Sequence, residues 1–351
     1  MEYIERELLP APDMLVSGGK FNFGTFSTQF SKVNPLDARR PLGFKAPGCL
    51  IHYRLKEWQA FQLGNQRWFI LTVLYNARFS GLAQFIAYDR QAKKRYAFSR
   101  TLVPGVINVP PSLWDGRQSY NHSGNSIEFI SRLEVGRFYI NVSLKGDKVV
   151  PPVEAHFEAL HEDCMAEPIV VAIPFGENRG MYSHKCLMPM KGEMYVGGEK
   201  TEFNRDESFA IIDDHKGFYP YIMKYDWVTG AGVNGSGQLC GFNLTDNQST
   251  DPDMYNENCL WIDGRLHLLP PVKFSRPDGD EGHWQVKDRF GMVDLSFQPV
   301  AMNEINVNAL AIRVRYRGPF GYFNGFVRNR YKERIVCDGF FGMGENKYVR
   351  G

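Results

Sequence analysis

The sequence predicts an all-β protein made of two consecutive antiparallel β-barrels or half-barrels with few short helices. Three observations predict it. Helical periodicity is nearly absent along the chain. Strand-length runs recur instead, cut by Gly, Pro, Asn and Asp, and many alternate apolar with polar residues, the period-2 mark of a strand with one buried face. Aromatic residues are abundant, with 26 Phe and 17 Tyr among 351 residues, and aromatic rings favour pleated, half-buried surfaces.

The first half shows the pattern in GCLIHYRL, EWQAFQLG, RWFILTVLYNA, GLAQFIAYDR, KRYAFSR, NSIEFISRL and RFYINVSLKG. In the last of these, Phe138, Ile140 and Val142 alternate with Arg137, Asn141 and Ser143. Short strands joined by tight turns predict an antiparallel meander that closes into a barrel. The rhythm changes near residues 150–180, where prolines stand at 151, 152, 168 and 174. A soft boundary is expected there, dividing the chain into residues 1–165 and 166–351. Strands resume with GEMYVGG, SFAIIDD, QLCGFNLT, NCLWIDG, HWQVKD, MVDLSFQPV and GYFNGFVRN, enough for a second barrel or half-barrel. A barrel that encloses a cavity suits small, often lipophilic ligands.

Charge excludes some partners. With 41 basic and 39 acidic residues the formal net charge is +2, which gives no reason to expect nucleic acid or an anionic membrane. No segment approaches the length of an apolar membrane span. The N-terminus, MEYIERELLPAPDML, is acidic where a signal peptide is basic. The six cysteines are scattered without a C-x-x-C, as in reduced, buried residues of a cytosolic protein. A cytoplasmic location is therefore expected, and the sequons at Asn121, Asn141, Asn243 and Asn247 read as chance matches.

Several motifs fall away on inspection. Gly230-Ala-Gly232-Val-Asn-Gly235 matches a dinucleotide fingerprint by letters only, because the strand-like QLCGFNLT follows it where a helix is required. A glycine-rich hairpin turn accounts for it better. There is no H-E-x-x-H, and His161-Glu162-Asp163-Cys164 cannot all converge on a metal from adjacent strand positions. An inter-domain loop is the simpler account, and no metal is expected. There is no G-x-S-x-G and no signature of a cysteine nucleophile.

What stands out is the polar density between Asp213 and Phe274. Asp213-Asp214-His215-Lys216-Gly217 ends an apolar run, where a carboxylate beside a histidine can fix its tautomer and form an acid–base pair. The same residues also suit a turn, with Asp capping backbone amides and Gly217 at positive φ. Tyr219, Tyr221, Tyr225 and Trp227 follow at alternate positions and can form one aromatic face, either core or cavity wall. Asn243, Glu257, Asn258 and Asp263 sit among Phe242, Leu244, Leu260 and Trp261. They either latch the long loop 245–257 or touch a ligand. His184 and Lys185, in MYSHKCLMP, are further candidates for inward polar groups.

Around these residues the chain resembles a bacterial family defined as domain of unknown function 2804. The similar pieces are YSHKCLMPMKGEM, IDDHKGFYPY, GFNLT, NENCLWIDG, LPPVKF, FGMVDLSF, PFGYFNGFV and GMGE, in order over most of residues 170–345. More distantly it resembles the carotenoid hydratase, AttH-like and tocopherol cyclase group. That resemblance implies two consecutive lipocalin-like barrels, and some members of the group hydrate, cyclise or isomerise polyenes and terpenoids without a redox cofactor.

The expected function is thus an enzyme that binds a lipophilic, unsaturated small molecule (isoprenoid, polyene or fatty-acid-like) in a barrel or between barrels. The expected chemistry is proton transfer without a cofactor: hydration, isomerisation or cyclisation. Asp214 and His215 are the expected acid–base residues. His184, Tyr219, Tyr221, Trp227, Asn243, Asn258 and Trp261 are the expected ligand contacts. A non-catalytic carrier needs the cavity but no acid–base pair, and a structural protein would have filled barrels with no cavity.

Overall fold

The computed structural model describes residues 3–161, 166–279, 281–309 and 312–351. It contains two curled antiparallel sheets in tandem, each a half-barrel around its own core. The described helices are short: Gly48–Arg54 and two single 3-10 turns, Pro35–Asp37 and Leu133–Val135. No helix is long and apolar enough to cross a membrane.

The first sheet runs in the order Lys94–Leu102, Gly81–Asp89, Trp68–Asn76, Lys56–Gly64, Phe209–Gly217, Arg179–Val196, Val153–Leu160, Arg137–Leu144, Asn125–Arg132, Gly116–His122. Strict alternation in Arg137–Leu144 places Phe138, Ile140 and Val142 inside, as the sequence pattern requires. Residues 209–217 pair with Lys56–Gly64 on one side and with Arg179–Val196 on the other. The boundary expected at 165/166 therefore lies within the span of the first sheet, and the chain crosses to the second sheet between Gly217 and Ile222. The prolines at 151, 152 and 168 flank the strand Val153–Leu160 and the turn after it rather than the crossing between sheets. Of the segment His161-Glu162-Asp163-Cys164, residues 162–164 lie outside the described residues.

The second sheet runs Arg265–Leu268, Cys259–Ile262, Leu239–Asp246, Ile222–Val233, Phe340–Arg350, Phe320–Arg328, Val293–Ala301, Trp284–Asp288, Val272–Ser275. Gly230 and Gly232 lie within the strand Ile222–Val233, one arm of a hairpin whose turn proper is Asn234–Gln238. They are glycines for a packing reason. A Cβ on Gly230 would stand 2.8 Å from the Phe323 ring and one on Gly232 2.5 Å from the Phe340 ring, both in the second core.

A third apolar layer glues the two half-barrels together. Phe69, Leu71, Ile86, Val171 and Ile211 from the first sheet meet Trp227, Ala231, Phe320, Phe341 and Met343 from the second. The N-terminal segment reinforces this union. Gly24–Phe26 pairs with Ile169–Gly176 of the first sheet, while Arg6 donates to the Leu269 carbonyl of the second at 2.6 Å.

Candidate active site between the two sheets

The layer between the sheets is not filled throughout. It encloses a cavity of about 430 Å³, within the range of small-molecule sites. Trp58, Ala60, Gln62, Leu71, Val73 and Tyr75 line it from the first sheet, and Met223, Tyr225, Trp227, Met343, Glu345 and Lys347 from the second. Lys224 and Val307, both exposed, mark its solvent side.

The strand Phe209–Gly217 supplies the titratable groups. Because a strand alternates, Phe209, Ile211, Asp213 and His215 face the second sheet, while Ala210, Ile212, Asp214 and Lys216 face the interior of the first half-barrel. The expected Asp214–His215 pair is thereby corrected. The two side chains leave the strand in opposite directions, and the partner of His215 is Asp213. The D-D-H-K-G turn does not form either: ladder bonding continues through Gly217, and Asp214 and His215 are only 2% and 4% exposed.

Register brings the neighbours together. Lys185 pairs with Asp213, and Ser183 and Trp58 flank His215 from the two adjacent strands. Asp213 Oδ1 lies 2.5 Å from Lys185 Nζ and 2.7 Å from His215 Nε2. His215 Nε2 is 3.1 Å from Ser183 Oγ, whose hydroxyl donates to Glu257 Oε2 at 2.8 Å. Glu257 Oε2 is 3.8 Å from both Lys185 Nζ and His215 Nε2. On its other edge, His215 Nδ1 is 3.2 Å from the Tyr219 hydroxyl, which also reaches Met181 Sδ at 3.3 Å. The imidazole stacks on Trp58 with centroids 4.4 Å apart and planes at 11°.

The electrostatics follow from this geometry. Burial alone would raise the Asp213 carboxyl, but the Lys185 ammonium and His215 outweigh it and hold Asp213 well below the usual carboxylate range. Burial works against the Lys185 ammonium, yet Asp213 and Glu257 keep its pKa raised. Tyr219 is pushed well above its usual value by burial, with Glu257 and Asp213 adding to it, so its hydroxyl is protonated in the resting site.

The expected ligand contacts divide into three groups. Tyr219 and Trp227 line the cavity. Asn243 and Asn258 act as latches. Asn243 accepts from Trp227 Nε1 at 2.6 Å and donates to the Glu257 carbonyl at 2.8 Å. Asn258 accepts from the Thr245 amide at 2.7 Å and donates to the Pro270 carbonyl at 2.9 Å. Their work is to hold the loop that delivers Glu257. His184, Tyr221 and Trp261 do not line the cavity. His184 faces the other side of the sheet, with Nδ1 2.8 Å from Gln29 Oε1, because it is one residue out of phase with Lys185. Tyr221 lies in the crossing between sheets and is 54% exposed. Trp261 is buried in the inter-sheet layer, its indole donating to the Glu167 carbonyl at 3.0 Å.

Asp214 has a separate role. Burial lifts its carboxyl to about 7, opposed by Lys216 and aided by Asp213 and Glu57, and its Oδ1 has no hydrogen-bond partner among the described residues. Between the unfolded value of 3.8 and about 7, the folded protein holds a proton that the unfolded chain has released. This group's contribution to stability therefore falls as pH rises across that window. Asp214→Asn lacks the term. Relative to wild type, the variant is expected to gain up to roughly 4 kcal/mol between pH 4 and pH 7.5. Urea unfolding at the two pH values measures this, and equal gains at both would show that folding does not raise the Asp214 carboxyl.

Sequence reasoning missed Asp213 as the histidine's partner, together with Ser183, Trp58, Glu345 and Lys347. The period-2 rule applied to Met181-Tyr182-Ser183-His184-Lys185 was the available signal for Ser183 and Lys185. Nothing local distinguishes Lys347.

Comparisons with known proteins complete the picture. No curated protein matches the sequence. Among solved structures, CghA with Sch210972 aligns over 84% of this chain and 88% of its own, at TM-score 0.51 and 10% identity. Kievitone hydratase from Nectria haematococca covers the same shares at TM-score 0.48 and 12% identity. A putative AttH from Nitrosomonas europaea covers 88% of this chain and 96% of its own, at TM-score 0.46 and 13% identity. The CghA alignment shows a shared fold. The model of the family described as domain of unknown function DUF2804 matches residues 5–350, and the chain belongs to that family.

Proposed function

We propose that the protein is an enzyme that carries out proton-transfer chemistry (hydration, isomerisation or cyclisation) on a lipophilic, unsaturated small molecule held between the two sheets. The observation that supports this best is the Asp213–His215–Tyr219 chain at the wall of a predominantly apolar cavity. Asp213 holds the Nε2–H edge of the ring, leaving Nδ1 to exchange a proton with the Tyr219 hydroxyl. Among the described residues, the one other hydrogen-bond partner of that hydroxyl is a thioether, a weak acceptor that a ligand readily displaces. With a proton on Nδ1 as well, His215 restores the proton that Tyr219 delivers to a double bond, and the ring is left neutral. In hydration, water adds to the cationic carbon and its surplus proton returns through Tyr219 to Nδ1; in isomerisation, a neighbouring carbon gives up that proton instead. Trp58, Tyr75, Tyr225 and Tyr316 line the same space, and their faces stabilise a developing carbocation.

The fold of CghA, whose structure holds Sch210972, is compatible with a small-molecule site in this architecture. The test is isotopic. Lipophiles that co-purify with the wild-type protein are incubated with it in D₂O and followed by mass spectrometry. Wild type is expected to incorporate deuterium at carbon, and Tyr219→Phe to do so about 100-fold more slowly while still retaining the lipophile. Retention of ligand with no incorporation by wild type would make the protein a carrier.

A further inference from the structure

We infer that the ligand carries an anionic head group, a carboxylate or an equivalent acidic oxygen, and that Lys347 receives it. This rests on the reading of the cavity as a lipophile site and narrows its occupant to a lipophilic acid.

Lys347 stands on the strand Phe340–Arg350 of the second sheet, on the face that Met343, Glu345 and Val349 also present to the cavity. Its Nζ lies 5.6 Å from the Trp58 ring centroid, 5.3 Å from that of Tyr225 and 5.8 Å from that of Tyr316. Among the described residues its one hydrogen bond is to the Tyr225 hydroxyl, at 3.1 Å. An ammonium has three N–H donors, so two are unclaimed.

The nearby carboxylate is committed elsewhere. Glu345 Oε2 accepts from Tyr225 and Oε1 from Tyr316, both at 2.7 Å. No ion pair forms to Lys347 among the described residues. The other lysines of the cavity differ. Lys185 is matched by Asp213 and Glu257. Lys56 donates to the Ala77 and Tyr53 carbonyls at 2.7 and 3.3 Å and lies 4.2 Å from the Phe79 ring centroid. Among the described residues, Lys347 is the partly buried lysine of the cavity with neither an ion pair nor a carbonyl acceptor.

A desolvated ammonium with aromatic neighbours and no carboxylate partner is costly unless an anion arrives. Burial accordingly lowers its pKa, with Glu345 and Asp213 opposing. An acidic head group supplies the missing charge and takes up the unclaimed donors through charge-assisted hydrogen bonds. The position also orients the ligand. Trp58 contacts both ends of the site, stacked on His215 and standing beside Lys347. A head group at Lys347 therefore leaves the apolar chain to run along Leu71, Val73 and Met223 past Tyr219.

Farnesoic acid and farnesol, which differ only in the head group, test this by calorimetric titration of the full chain at pH 7. Wild type is expected to bind the acid about tenfold more tightly or better. Lys347→Met is expected to bring the acid to the level of the alcohol while farnesol affinity stays within about threefold. Equal affinity in wild type overturns the inference without recourse to any variant. So does a preference that survives in Lys347→Met with an unchanged near-UV circular dichroism spectrum, or failure of wild type to bind either compound. The readout is binding alone, so a wild-type protein that prefers the acid but incorporates no deuterium would sink the catalytic reading and leave this one standing.

Discussion

Lys185→Met is expected to cost about 3–5 kcal/mol of folding stability, the largest effect of any single change at this site. The ammonium it removes is 2.5 Å from Asp213 Oδ1 and 3.8 Å from Glu257 Oε2, and all three side chains are buried. Without it two buried carboxylates face each other with only His215 and the Ser183 hydroxyl between them. The cost arises from the stranded charges, not from the intrinsic worth of the pair. Lys185→Met combined with Asp213→Asn is accordingly expected to recover at least about 2 kcal/mol relative to the sum of the single changes. Urea denaturation of the four proteins in this cycle provides the measurement. A single-variant loss below about 1 kcal/mol would mean that water or a rearranged Glu257 solvates the cluster.

The second large effect is on rate. His215→Gln keeps a hydrogen-bonding group on the strand but removes the imidazole. Deuterium incorporation is expected to fall by about 100- to 10,000-fold, with ligand retention unchanged. Asp214→Asn is the matched control one residue away. Its side chain points into the first half-barrel, so incorporation is expected to stay within about twofold of wild type. Comparable losses in both variants would show that the chain relay does not end at Asp213. Together, the two variants separate the strand face that carries the site from the face that carries the core.

Much of the architecture was legible because period-2 patterning is a local consequence of strand geometry. Phe138, Ile140 and Val142 announce a half-buried strand wherever it lies in the fold. The strand Phe209–Gly217 was harder. Both its faces are buried, so polar residues occur on each, and no alternation marks which one meets a ligand. Asp213-Asp214-His215-Lys216-Gly217 consequently has the composition of a turn while adopting the conformation of a central strand. Pairing with strands some 150 and 30 residues away overrides the local preference. His184 was a natural candidate on residue type and Lys185 the one in phase, a difference that one step of register decides.

The sequence by itself determined the all-β class, the family and the polar density of the stretch beginning at Asp213. It did so because strand periodicity and motif order are written in neighbouring residues. Tertiary structure alone decided that His215 contacts Asp213 rather than Asp214. It alone decided that the cavity lies between the sheets rather than within a barrel. It also brought Lys347, more than 130 residues further along the chain, to the wall facing His215. Those outcomes depend on which face of a strand meets which other sheet, and only long-range pairing fixes that.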